Sequence, residues 1–172
     1  MLSLVLLSYD PDLPDAKRRE AVARGLASLV PSVIEGLVAD AALVGPAGSG
    51  LDAIADEAGC LLIEAASARE GLDRALARIR CAELFLLDSG YAVEAGFPDA
   101  ARDVLAFGGL ERARVLRAAP DGLLSRLAPR FAPPAGILAR KPAVVRARAA
   151  TLRGLARELR AAEIASVARA CI

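Results

Sequence analysis

LFLLDSGYAVE, residues 84–94, reads as a buried strand that runs into a single carboxylate. Leu84, Phe85, Leu86 and Leu87 form an unbroken apolar run, the pattern of a strand covered on both faces. Asp88 closes the run, and Ser89, Gly90 and Tyr91 turn the chain away. In an open α/β sheet, ligands and metals sit beyond the carboxyl ends of the strands, the position of Asp88. A divalent cation wants more than one anionic oxygen, and the next acid is Glu94, six positions on. Asp88 is thus either a metal ligand or a cap for the following turn, and its isolation favours the cap.

Upstream, strands and helices alternate. Residues 2–8, 37–44, 60–64 and 83–87 read as strands, and residues 16–30, 51–58 and 68–80 as helices. Asp10 and Asp12 supply cap chemistry before the first helix, and Gly59 closes the second. Leu72, Leu76 and Ile79 give the third an apolar face. This β-α-β-α-β-α-β order predicts an α/β domain: three layers, α/β/α, around a mainly parallel sheet. Right-handed crossovers then bring the loops that begin at Tyr9, Gly45 and Asp88 to one edge.

Beyond Gly90 the pattern loosens. Residues 97–107 and 121–127 read as helices, and 113–117 and 136–139 as strands, with Pro129, Pro133 and Pro134 marking an irregular crossing. Pro142 suits a helix's first turn. Arg146, Arg153, Arg157 and Arg160 would line one face of a helix opposite Leu152, Leu155 and Leu159, interrupted around Gly154.

Composition narrows the chemistry. At 172 residues the chain reads as one domain, with its apolar excess carried by Ala, Leu and Val. No run approaches the ~18 apolar residues of a spanning helix, and no signal peptide is read at the start, so the cytoplasm is the expected compartment. With no histidine, serine–histidine and cysteine–histidine catalysis are excluded and zinc has almost no ligand set. Cys60, Cys81 and Cys171 form no C-x-x-C pair, and Cys60 and Cys81 read as small buried hydrophobes. Charge is split along the chain. Residues 1–111 hold 9 basic and 18 acidic side chains, residues 112–172 hold 13 and 3. The basic third either faces an anionic partner or neutralises the rest, within the domain or across a homodimer.

Further candidates each carry two readings. Gly45-Pro46-Ala47-Gly48-Ser49-Gly50 is a phosphate cradle or, lacking a Walker or dinucleotide pattern, a tight turn. Arg69 contacts a phosphate or lies on the surface; Arg140 and Lys141 face a diphosphate or form a solvated corner.

The assembled pattern resembles the family-two glycosyltransferases, nucleotide-diphospho-sugar transferases of the GT-A fold, as a short and degenerate member. LSLVLLSYD (2–10) is similar to the family's opening strand. VADAALVGPAGSGLDAIADEAGCLLIEA (38–65) is similar to its second strand, loop, short helix and third strand. SAREGLDRALARIRCAELFLLDSG (67–90) resembles the helix and strand that lead to the metal motif, and PPAGILARKPAVV (133–145) a later strand and helix near the acceptor. The departures fall on the chemistry. The family's D-x-D is Asp88-Ser89-Gly90 here, its acidic second loop is the glycine loop, and its late base would fall in LRGL, residues 152–155, with Glu158 the nearest acid.

The resemblance implies a nucleotide-binding half, residues 1–90, and a shortened, basic acceptor-side half, residues 91–172. It implies a nucleotide site of Ser8, Tyr9, Asp10, Gly45, Ser49, Arg69, Asp88 and Ser89, with Arg140 and Lys141 on the phosphate or acceptor side. Mn or Mg enters only where transfer is retained, with Asp88 as its ligand, and no catalytic residue is assigned. The expected function is weak or absent sugar transfer with retained nucleotide or sugar-nucleotide binding. The alternative is a non-catalytic module whose basic third docks on an acidic protein or an anionic membrane surface, peripheral to the inner membrane. Nucleic acid is disfavoured, because Phe131 is the one aromatic of the basic third.

Overall fold

The computed structural model describes residues 1–10, 12–107, 110–120 and 132–171. Its parallel half is built as the apolar runs require. β1 (Leu2–Leu7) pairs in parallel with β2 (Val38–Gly45) on one side and β4 (Glu83–Asp88) on the other, and β3 (Leu61–Glu64) extends β2 outward. Every residue of β1 is buried, which is why its sequence shows no polar alternation.

The other half turns antiparallel. β7 (Pro134–Arg140) runs against β4, and β6 (Arg114–Ala118) against β7. β8 (Ala162–Ala170) lies parallel to β6 and carries β5 (Tyr91–Val93) at the edge. The eight strands form one sheet in the order β3-β2-β1-β4-β7-β6-β8-β5. Gly136 sits where β7 crosses β4; a Cβ there would stand 2.8 Å from the Leu86 carbonyl and from the Phe85 ring. No other residue fits this crossing without a shift.

Helices cover both faces. α1 (Asp15–Ser28), α2 (Val30–Ile34), α3 (Asp52–Ala58) and α5 (Phe97–Phe107) lie on one, where Leu4, Leu6, Phe85 and Leu87 point. The Phe85 and Phe97 rings meet there at 4.5 Å. α4 (Ala68–Arg78), α6 (Lys141–Arg146) and α7 (Leu152–Glu158) cover Val5, Leu7, Leu84 and Leu86 on the other. Each fully buried leucine contributes about 2–3 kcal/mol of transfer free energy, so the two apolar layers dominate the stability. α4 starts with Ser-x-x-Glu: the Ser67 hydroxyl accepts from the Glu70 N–H, and the Glu70 carboxylate reaches back to the Ala66 N–H.

The structure departs from the sequence reading in four places. The first helix stops at Ser28, and Pro31 opens a separate short turn of helix, α2. The break expected around Gly154 lies earlier: the first helix ends at Arg146, Thr151 caps a new start by accepting the Gly154 N–H, and Gly154 sits inside that second helix. β5 and β8 were not expected. Cys60 and Cys81 are half-buried rather than core, and Cys171 is the buried thiol. The helix expected at residues 121–127, Pro129 and Phe131 lie outside the described residues. No helix among the described residues is long and apolar enough to cross a membrane.

Candidate functional site

Parallel pairing brings three strand tips together. Leu7 is in register with Val44 on one side and Asp88 on the other, and Gly45 with Glu64. The ladders continue past the strand ends: the Ser8 N–H donates to the Val44 carbonyl at 2.9 Å, and the Ser89 N–H to the Leu7 carbonyl at 2.9 Å. Ser8 and Ser89 are both buried, and the Ser89 hydroxyl donates to that of Ser8 at 3.0 Å. On the other flank, the Tyr9 hydroxyl reaches the carbonyls of Gly45 (3.1 Å) and Ala65 (2.9 Å), joining the tips of β1, β2 and β3. Burial, then the charge of Glu70, raises the Tyr9 pKa, so the phenol is a neutral donor at any working pH.

Arg18, on the first turns of α1, organises the loop after β1. The residue is 6% exposed, and its guanidinium donates to the carbonyls of Ser8 (3.1 Å), Asp10 (2.9 Å) and Leu13 (3.0 Å). Asp15 stands 3.5 Å from its Nε. A buried arginine is tolerable only when its donors are satisfied, and here backbone carbonyls satisfy most of them. Sequence reasoning missed it, since one arginine in KRRE gives no sign of burial.

Asp88 is turned onto its own backbone. Its Oδ1 accepts the Gly90 N–H at 2.8 Å, the cap geometry expected for a strand-end aspartate. Burial pushes its pKa up, and the charge of Asp10 raises it further while the Gly90 bond opposes. Asp10 thus faces Asp88 electrostatically, a pairing across 78 residues that sequence spacing does not reveal. The Asp10 Oδ1 in turn accepts the Asp12 N–H at 3.0 Å. Cys171 joins this corner from the end of β8: its N–H donates to the Gly90 carbonyl (2.8 Å), and its carbonyl accepts from Arg24 (2.6 Å). Burial raises the thiol's pKa; Arg24 opposes and Asp88 adds to the rise.

These donors do not make a protein-held metal centre. One oxygen of each aspartate is committed to a backbone N–H, and among the described residues no three His, Cys, Asp or Glu side chains converge as ligands. Hard divalent cations need several oxygens, so the residues present do not fit one by themselves.

The remaining predicted residues are placed as follows. Gly48 and Gly50 have positive φ and fold the glycine loop back on itself. The Gly48 N–H donates to the Glu64 carboxylate at 3.1 Å and the Ser49 hydroxyl to the Pro46 carbonyl at 2.7 Å, so both groups are already engaged. Arg69 holds Asp73 on its own helix and the Ala147 carbonyl at 2.6 Å, tying α4 to the segment after α6. Arg140 and Lys141 are not brought to the strand tips. Arg140 is in register with Glu83, the first residue of β4, and Lys141 donates to the Ile79 carbonyl at 3.0 Å. The length of β4, roughly 17 Å at ~3.3 Å per residue, separates them from Asp88.

No protein-family model and no curated protein matches the chain. Solved structures do. Glucosyl-3-phosphoglycerate synthase from Mycobacterium tuberculosis, in complex with Mn2+ and UDP-glucose, superposes with a TM-score of 0.59 at 17% identity, over 83% of this chain and 57% of that one. The same enzyme with phosphoglyceric acid gives 0.54 at 18% identity over the same shares. A mycobacterial protein gives 0.62 at 17% identity, over 99% of this chain and 64% of that one. The chain thus spans 57–64% of the length of these neighbours. The fold is the GT-A glycosyltransferase fold that the sequence resembles, an α/β architecture on a curled eight-stranded sheet.

Proposed function

We propose that this chain is a GT-A scaffold that binds a nucleoside diphosphate or its sugar ester at the tips of β1, β2 and β4, with little or no sugar transfer. The observation that carries the reading is the convergence of Ser8, Tyr9 and Asp10 with Gly45 and with Asp88 and Ser89 at one edge of a GT-A sheet. That edge is where ligands bind in open α/β folds. The neighbours with this fold were crystallised with UDP-glucose or UDP together with Mn2+ or Mg2+, which supports the ligand class.

The mechanism follows from what the site can supply. The loops offer backbone carbonyls and N–H groups to a base and ribose, while the Tyr9 phenol and the Ser8 and Ser89 hydroxyls, already paired, brace those loops. Inverting sugar transfer also needs a base for the acceptor hydroxyl and positive charge for the departing diphosphate. Asp88 is half-committed to Gly90, and Arg69 to Ala147 and Asp73. Neither of these two side chains is free for its role, so binding without efficient turnover is the expected outcome.

Titration of isotope-labelled protein with UDP tests the reading. Amide shifts should concentrate at Ser8, Tyr9, Gly45 and Ser89. Shifts confined to other edges of the sheet, or none at millimolar UDP, would remove it.

A further inference from the structure

A groove of about 380 Å³ opens between α5 and the start of the β6–β8 ladder. Ala100, Val104, Phe107 and Ile164 give it apolar walls, and Asp103 and Arg114 stand among them. Ala100, Asp103, Val104 and Phe107 recur at three- and four-residue spacing, so α5 turns one face to the groove while Phe97 and Ala101 hold another in the core. The hollow has its cause in the sheet. Val115 pairs with Glu163 and Arg117 with Val167, so β8 advances four residues while β6 advances two. This bulge takes Ile164 and Ala165, both lining the groove, out of the regular ladder.

Three side chains here are left incomplete within one chain. Phe107, a large apolar ring at the lip, is 87% exposed. Arg114 is half-buried, and its Nε is shut away without a hydrogen-bond partner, an arrangement that costs free energy until an acceptor arrives. Among the described residues, the Asp103 and Arg114 side chains make no hydrogen bond or ion pair, with each other or with any other group. Glu163, the remaining acid of the lining, is taken by Arg117 at 2.7 Å. The next two residues after Phe107, Gly108 and Gly109, carry no side-chain charge. The groove therefore holds one free charge of each sign beside an uncovered aromatic ring.

We infer that a second copy of this chain docks on this face across a twofold axis. In such an interface every contact occurs twice, so the patch must complement itself. This one does. Asp103 of one protomer pairs with Arg114 of the partner subunit, the axis repeats the pair, and each Phe107 enters the hollow of the opposite protomer. Aromatic rings and arginines concentrate at such surfaces. Charge decides against the other occupants: a wholly acidic or basic partner, an anionic membrane or a nucleic acid would leave one of the two charges facing its like. The face also lies apart from the strand tips. Through Leu138 of β7, Arg114 stands level with Phe85 rather than with Asp88. The inference does not depend on nucleotide binding there.

Sedimentation equilibrium of the full chain across micromolar concentrations tests this. The wild type should form a reversible dimer. Phe107→Ser and Asp103→Arg, both at exposed positions, should each raise the dimer dissociation constant at least about tenfold. Asp56→Arg, exposed on α3 and outside the groove, makes the same charge change and should dimerise like the parent. Adding Arg114→Glu to Asp103→Arg remakes the pair with its signs exchanged, so the double variant should recover most of the lost affinity, which a merely disturbed fold would not do. A monomer at every concentration, or a dimer that Phe107→Ser and Asp103→Arg leave equally tight, overturns the inference. A double variant no tighter than Asp103→Arg overturns the charge pairing. UDP titrated into the same samples reports separately on the strand tips and should bind monomeric variants and parent alike.

Discussion

The hydroxyls of Ser8 and Ser89 meet at 3.0 Å beneath the candidate site, joining the loops after β1 and β4 where both residues are almost fully buried. Each hydroxyl is the other's side-chain partner, so neither is neutral to remove.

Ser8→Ala or Ser89→Ala alone should cost about 1–2 kcal/mol, because the surviving hydroxyl is left buried without a partner. The double variant should cost less than the sum of the two. Urea denaturation of the four proteins measures the coupling, and strict additivity would show that the pair does not act as a unit.

Arg18→Met keeps the packing stem and removes the fork that holds Ser8, Asp10 and Leu13. One buried and two part-buried carbonyls lose a charged donor, so a loss of about 2–3 kcal/mol is expected, with weaker UDP binding as the first loop loosens. A change below about 0.5 kcal/mol, the range of ordinary surface substitutions, would show that the clamp is ornamental.

Asp88 and Glu158 should shape the acid limb of the stability curve in opposite senses. Burial and Asp10 raise the folded-state pKa of Asp88, so between the ordinary value of 3.8 and the raised one the folded chain holds a proton that the unfolded chain releases. Its contribution therefore falls as pH rises through that window. Glu158 is held below its ordinary 4.5 by the Arg148 and Ala149 N–H groups, so its contribution is present above that value and is lost as pH falls. Asp88→Asn keeps an acceptor for Gly90 and removes the charge. It should be more stable than the parent at neutral pH, with the advantage vanishing below 3.8. Thermal denaturation across pH reads this, and a destabilised variant at pH 7 would indicate that the carboxylate is stabilised by its surroundings.

Arg69 separates a tie from a phosphate contact. Arg69→Ala breaks the bond to the Ala147 carbonyl and frees Asp73, for a loss of about 1–2 kcal/mol. UDP affinity should stay as it was. A drop of about tenfold with unchanged stability would reassign the side chain to the ligand.

The parallel half of the fold was legible because burial on both faces writes itself as continuous apolar runs, as in residues 2–7 and 84–87, bounded by cap and glycine signals. β8 was not. AEIASVARA is rich in alanine, its buried positions are only Ile164 and Ala168, and their spacing of four suits a helix as well as a strand. Long-range pairing with β6 and β5 decides it. The strand-tip loops at Tyr9, Gly45 and Asp88 followed from parallel topology alone, whereas the meeting of Asp10 with Asp88 and the burial of Arg18 depend on side-chain geometry that spacing does not encode. Arg140 and Lys141 were placed by likeness to a late segment, and the antiparallel course of β7 carries them to the far end of the sheet.

The most direct test is calorimetric titration of UDP-glucose with and without Mn2+, with glucose release followed in the same samples. A scaffold that keeps its donor edge but offers only two half-committed aspartates predicts binding whose affinity Mn2+ leaves unchanged, and no release of glucose. Binding that appears only with Mn2+ and proceeds to turnover would contradict it.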